Sequence, residues 1–104
     1  MEDDLIEIKY KMDDEKKTIQ SKVRIDYNNI LNLQNSIEAK KLDVNKAETL
    51  LNAEKVQFKV GRSTQIQVDS KQEELLMAKL QYENAKLEYY IAVENFKNYI
   101  KVAL

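Results

Sequence analysis

An all-α fold, a long antiparallel two-helix coiled-coil hairpin, is what this 104-residue sequence predicts, and three observations predict it. A single glycine, Gly61, interrupts a chain that has no proline. Apolar residues recur every seven positions on both sides of that glycine. The composition, 34% charged and 43% hydrophobic, is that of a chain that folds, alone or with partners, rather than that of a disordered tail.

Alanine, leucine, lysine, glutamate and glutamine are abundant, so nothing local stops a helix anywhere except at residues 60 to 64. The first helix is expected over about residues 3–60, roughly 85 Å at 1.5 Å per residue. Such a length is several times the globular average of about 11 to 12 residues and points to coiled-coil packing. Its seam is Val23, Ile30, Ile37, Val44, Leu51 and Phe58, spaced by seven, the repeat of a left-handed supercoil. Beside that seam Ile19, Leu33 and Ala47 alternate with Asp26, Lys40 and Glu54, so this half of the interface is expected to be partly wet.

Glycine just past a helix end takes the left-handed conformation without a Cβ clash, which suits Gly61 after Val60. Thr64 and Gln67 have the spacing of a capping box, the hydroxyl meeting one orphan amide and the glutamine reaching back to another. Only Arg62 and Ser63 are left as connector, a tight polar turn at the end of a long rod.

The second helix is expected over about residues 64–102, roughly 58 Å long. Val68, Leu75, Tyr82, Tyr89, Phe96 and Ala103 form its seam, and Ala78, Ala85 and Ala92 follow three residues on, small side chains that let a neighbouring backbone come close. A further stripe, Leu76, Leu80, Leu87 and Tyr90, lies roughly opposite the seam. The first helix has a weaker counterpart in Ile25, Ala39, Leu42, Ala53 and Val56. Two stripes per helix imply neighbours on two sides. A curved sheet or closed ring of helices uses both, and so does a four-helix bundle of two hairpins. Self-association follows in either case, because an isolated pair of helices is short of core. The first helix also outruns the second by roughly 25 to 30 Å, so its first turns lack an intramolecular partner.

Much chemistry is excluded. Without histidine or cysteine there is no imidazole base, no thiolate nucleophile and no zinc site of the usual kinds, so no enzyme activity and no cofactor are expected. The acidic runs Glu2, Asp3, Asp4 and Asp13, Asp14, Glu15 lack the alternating spacing and turn glycine of a calcium loop and read as solvated helix face. Seventeen basic residues balance eighteen acidic ones, and no stretch concentrates cations without interleaved acids, so nucleic acid and anionic membrane are not expected partners. Tyr82, Tyr89 and Tyr99 read as core or interface rather than as a stacking platform for bases. No apolar run approaches the roughly 18 residues that cross a bilayer, so no direct membrane insertion by this segment is expected.

The order of features resembles a known family. A long helix is followed by Phe58-x-x-Gly61-x-x-Thr64-x-Ile66-x-Val68, then Ala78, Tyr82, Ala85, Tyr89, Ala92 and Phe96. This is similar to the periplasmic helical hairpin of the TolC-like outer-membrane efflux proteins. The incoming helix, with Val23, Tyr27, Ala47 and Ala53, looks like theirs as well, and the likeness covers nearly the whole chain. It implies a homotrimeric channel for efflux or type I secretion in which each subunit gives two such hairpins to a helical barrel across the periplasm. The chain would then be an excerpt carrying one hairpin.

On this resemblance the turn is the periplasmic tip, and Phe58, Gly61, Arg62, Ser63 and Thr64 would meet the hairpins of a periplasmic adaptor protein. Gln67 and Ser70 stand where some relatives carry acids that narrow the closed pore, with Asp69 between them; this departure puts an acidic gate in doubt. The runner-up reading is the hairpin of the adaptor itself, which shows an arginine and a leucine before its tip serine where this chain has Asn52 and Val56. A third is a stand-alone coiled-coil scaffold.

Overall fold

A computed structural model describes residues 2–103. It is all-helical, two long helices forming an extended antiparallel hairpin: α1 runs Glu2–Lys59 and α2 runs Gln65–Ala103, with no strand among the described residues. Both bounds lie within about a residue of those the sequence predicts. The rod measures 89 × 16 × 15 Å, and the 58 residues of α1 span that length at 1.5 Å each, so α1 alone sets it. Glu2, Asp3 and Asp4 sit in the first turn of α1 and Lys59 in its last, each charge opposed to the local end of the helix dipole.

The two seams face each other. Ala47, Leu51, Val68 and Leu75 form the buried cluster, with Val44 and Ala78 packed on it. Ala85 is buried further along, and Val23, Ile30, Ile37, Tyr82, Tyr89, Ala92 and Phe96 are half-buried. Phe58 is the exception among the expected seam residues, 43% exposed. The cause is that α2 begins only at Gln65, so the level of Phe58 has connector rather than helix across from it.

The polar seam positions are half-buried as well, and two of them have partners. Asp26 takes an ion pair from Lys22 at 3.0 Å, and the Lys22 ammonium lies 4.8 Å from the Tyr99 ring centre on α2. This ties the open end of the hairpin through one cation. Near the turn, Glu54 accepts a hydrogen bond from the Ser63 hydroxyl. On α2, Lys86 sits 4.3 Å from the Tyr82 ring centre, and its hydrogen bond with Glu83 raises its pKa above the ordinary lysine value.

The core is small for the amount of chain it orders. Among the described residues five hydrophobic ones are buried, and none is fully so, while Leu5, Ile6, Ile8, Tyr10 and Met12 on the α1 overhang, and the outward residues of both helices, are exposed. Truncating the core should therefore be felt sharply. Leu51→Ala is expected to cost about 2–4 kcal/mol and to lower the melting midpoint in far-ultraviolet circular dichroism, while Leu5→Ala on the unpartnered overhang leaves it unchanged. Equal effects from the two variants would contradict the placement of the core.

Candidate functional site

The tip is built from two helix caps back to back. Gly61 has a positive φ of 77°; its N–H donates to the Phe58 carbonyl at 3.1 Å, and the Arg62 N–H donates to the Gln57 carbonyl at 2.8 Å. These two bonds close a helix C-terminus through a left-handed residue. An added Cβ at Gly61 would meet nothing within 4 Å, so glycine is required there by backbone conformation and not by crowding.

The next helix starts at once. The Thr64 hydroxyl accepts from the Gln67 N–H at 3.3 Å, and the Thr64 carbonyl accepts the Val68 N–H at 3.1 Å. Here the capping box expected of Thr64 and Gln67 is only half formed. The Gln67 side chain pairs instead with the Ser63 hydroxyl at 2.7 Å, and that hydroxyl also meets the Glu54 carboxylate. A hydroxyl has one proton. The Glu54 carboxylate is the stronger acceptor of that proton, and the Gln67 Oε1 is the alternative one. The triangle ties the connector to both helices.

What the tip presents is apolar and cationic. Phe58, Val60 and Ile66 are 43%, 62% and 81% exposed. Between Glu54 and Asp69 stand Lys55, Lys59 and Arg62, and no acid, a local excess of positive charge that the near-neutral whole chain conceals. Of the residues expected to dock, Phe58, Gly61, Arg62 and Thr64 are exposed, and Ser63 is half-buried in its own network. Val60 and Ile66 were not among them; their signal in the sequence is the pair of β-branched residues bracketing a polar connector.

Gln67, Asp69 and Ser70 are all exposed but do not form one cluster. Gln67 and Ser70 are three apart and share a face, whereas Asp69 stands on another, accepting from the Gln65 amide at 2.8 Å. Among the described residues no group of acids could hold a metal ion, and the acidic runs of α1 lie along an exposed helix. The tip is thus a braced turn with three exposed apolar side chains and a cation at the end of a rod.

Compared with models of known families, with curated proteins and with solved structures, the chain matches none.

The turn itself is open to test. Gly61→Val is expected to cost about 1–2 kcal/mol from backbone strain alone, and Gly61→Asn clearly less, since asparagine tolerates the left-handed region. Urea titrations followed by circular dichroism measure both, and equal losses would place the cause elsewhere. Ser63→Ala should cost about 0.5–1.5 kcal/mol in the same assay, the net worth of one hydrogen bond.

Proposed function

We propose that the chain is the periplasmic helical hairpin of a TolC-like outer-membrane channel used in efflux or type I secretion, with the Gly61 turn as the tip that docks on a periplasmic adaptor protein. The observation that carries this reading is the order Phe58, Gly61, Thr64, Ile66, Val68 followed by the alternating alanines and tyrosines of α2, joined to a tip whose apolar residues are exposed rather than folded into the rod. A turn that only connected two helices would gain nothing from leaving Ile66 at 81% exposure beside Val60 and Phe58.

In this role the hairpin stands in the periplasm as part of an outer-membrane protein, and the channel is a homotrimer. Arg62, with Lys55 and Lys59 behind it, gives the docking end a positive field, so the adaptor surface that meets it carries carboxylates around an apolar hollow. Gln67 and Ser70, which share a face, lie just inside the tip, and a constriction there would be polar and uncharged, with Asp69 turned to another face. The adaptor-hairpin reading has less behind it, because Asn52 and Val56 occupy the positions where that family carries arginine and leucine.

The test uses the full-length channel. Arg62→Glu and Gly61→Val are expected to impair efflux and adaptor cross-linking while trimer assembly and protein level hold. For Arg62→Glu the fold should be untouched, since a charge on an exposed connector contributes little to stability. Normal pumping by both variants would remove the docking role from the turn.

A further inference from the structure

One row of the seam runs straight through the turn. Lys40, Ala47 and Glu54 on α1, Gly61 itself, and then Val68 and Leu75 on α2 all stand seven residues apart, so a single heptad frame passes from one helix into the other. A hairpin needs no such continuity, because a turn lets each helix take its own frame. The pairing is symmetric about the same residue. Lys22 lies over Tyr99, Val44 and Ala78 pack on one buried cluster, and that cluster holds Ala47 and Leu75; the midpoint of each pair falls at Gly61.

Phe58 is left over in the hairpin. It continues the other seam row of α1 yet is 43% exposed, because connector and not helix stands across from it. The connector, residues 60–64, has no proline, and Gly61 is the one residue in it that strongly resists a helix.

We propose that two copies of this chain exchange α2: residues 60–64 become helix, each chain is one unbroken rod, and the two rods pack antiparallel about Gly61. Every contact between α1 and α2 is then made again between chains. The shared row faces itself through the middle, Phe58 gains helix opposite it, and the two Gly61 residues meet where neither carries a Cβ. Against this the hairpin has the advantage of a single chain, since a tight turn holds α2 beside α1 at an effective concentration in the millimolar range. Its braces are the left-handed Gly61 and the bonds of the Ser63 hydroxyl with Glu54 and Gln67. Gly61 therefore decides between two assemblies of the same contacts, as hinge residues do in exchanged dimers. The exchanged form has no tip, so this inference goes beyond the docking reading and stands whether or not the turn docks on anything.

The chain has no cysteine, so introduced thiols report cleanly. Positions 44 and 78 pack on the same buried cluster, out of reach of a hairpin that merely lies alongside. Val44→Cys and Ala78→Cys chains, unfolded together in urea and refolded under mild oxidation, therefore link to each other only through exchange. With native Gly61 the crossed disulfide dimer should be scarce at about 1 μM and plain at about 1 mM, on either side of the effective concentration of the turn. Alanine at 61 is disfavoured in the left-handed turn and favoured in helix, and a dimer counts both effects twice, so Gly61→Ala should shift the balance toward exchange by roughly a thousandfold. The same mixture should then link at low micromolar concentration, with helix retained in far-ultraviolet circular dichroism. Both thiols in one Gly61→Ala chain should give a doubly linked dimer, where native Gly61 gives an internally linked monomer. Crossed linking with native Gly61 that does not rise with concentration, equal linking from either thiol variant alone, or a Gly61→Ala chain that stays monomeric or loses its helix would overturn the proposal.

Discussion

The fold depends on one backbone conformation, the left-handed Gly61 at φ 77°. Everything else in the sequence favours helix, and without that residue α1 and α2 would tend to run on as one rod. By turning the chain within residues 60–64, the glycine sets α2 antiparallel to α1 at a fixed register, and the register decides which heptad residues meet. Leu51 and Leu75 are buried because the turn is short. Lys22 reaches Tyr99, roughly 60 Å from the turn at 1.5 Å per residue, because that register is kept along the rod.

The same geometry leaves the molecule half-covered. Two helices side by side bury one face each, and the buried cluster lies close to the turn, while Leu42, Leu80, Leu87 and Tyr90 stay more than half exposed. A rod of 89 × 16 × 15 Å has too little interior to hide such residues, whatever its sequence. Neighbouring copies on either side would cover them without altering any contact inside one hairpin. Val60 and Ile66, on either side of the connector at the rod's end, are 62% and 81% exposed.

Much of this was legible in the sequence. A lone glycine in a proline-free chain marks the turn, and seven-residue spacing marks the seams, because both are local rules with few competing readings. What was not legible depends on which residues stand across from one another in space. Phe58 continues the heptad in sequence, yet it is exposed because its opposite level is connector. Gln67 has the spacing of a capping box, yet its side chain is drawn to Ser63, since Glu54, nine residues upstream of that serine, engages the same hydroxyl. Asp26 reads as a flaw in the seam until Lys22 and Tyr99 are brought beside it. The tip is legible in its conformation and not in its purpose, because a docking surface is defined by the partner's side chains as much as by its own.

The register set by Gly61 is tested most directly by a distance across the rod. Spin labels at Tyr27→Cys and Glu94→Cys, in molecules diluted with unlabelled chain, report the separation of two positions that stand level on α1 and α2. The hairpin predicts a single narrow distribution within about 25 Å, given helix axes about 8–10 Å apart and the reach of two labels. A separation near 100 Å, the length of 67 residues of unbroken helix at 1.5 Å each, or a broad distribution with no short component, would contradict the account.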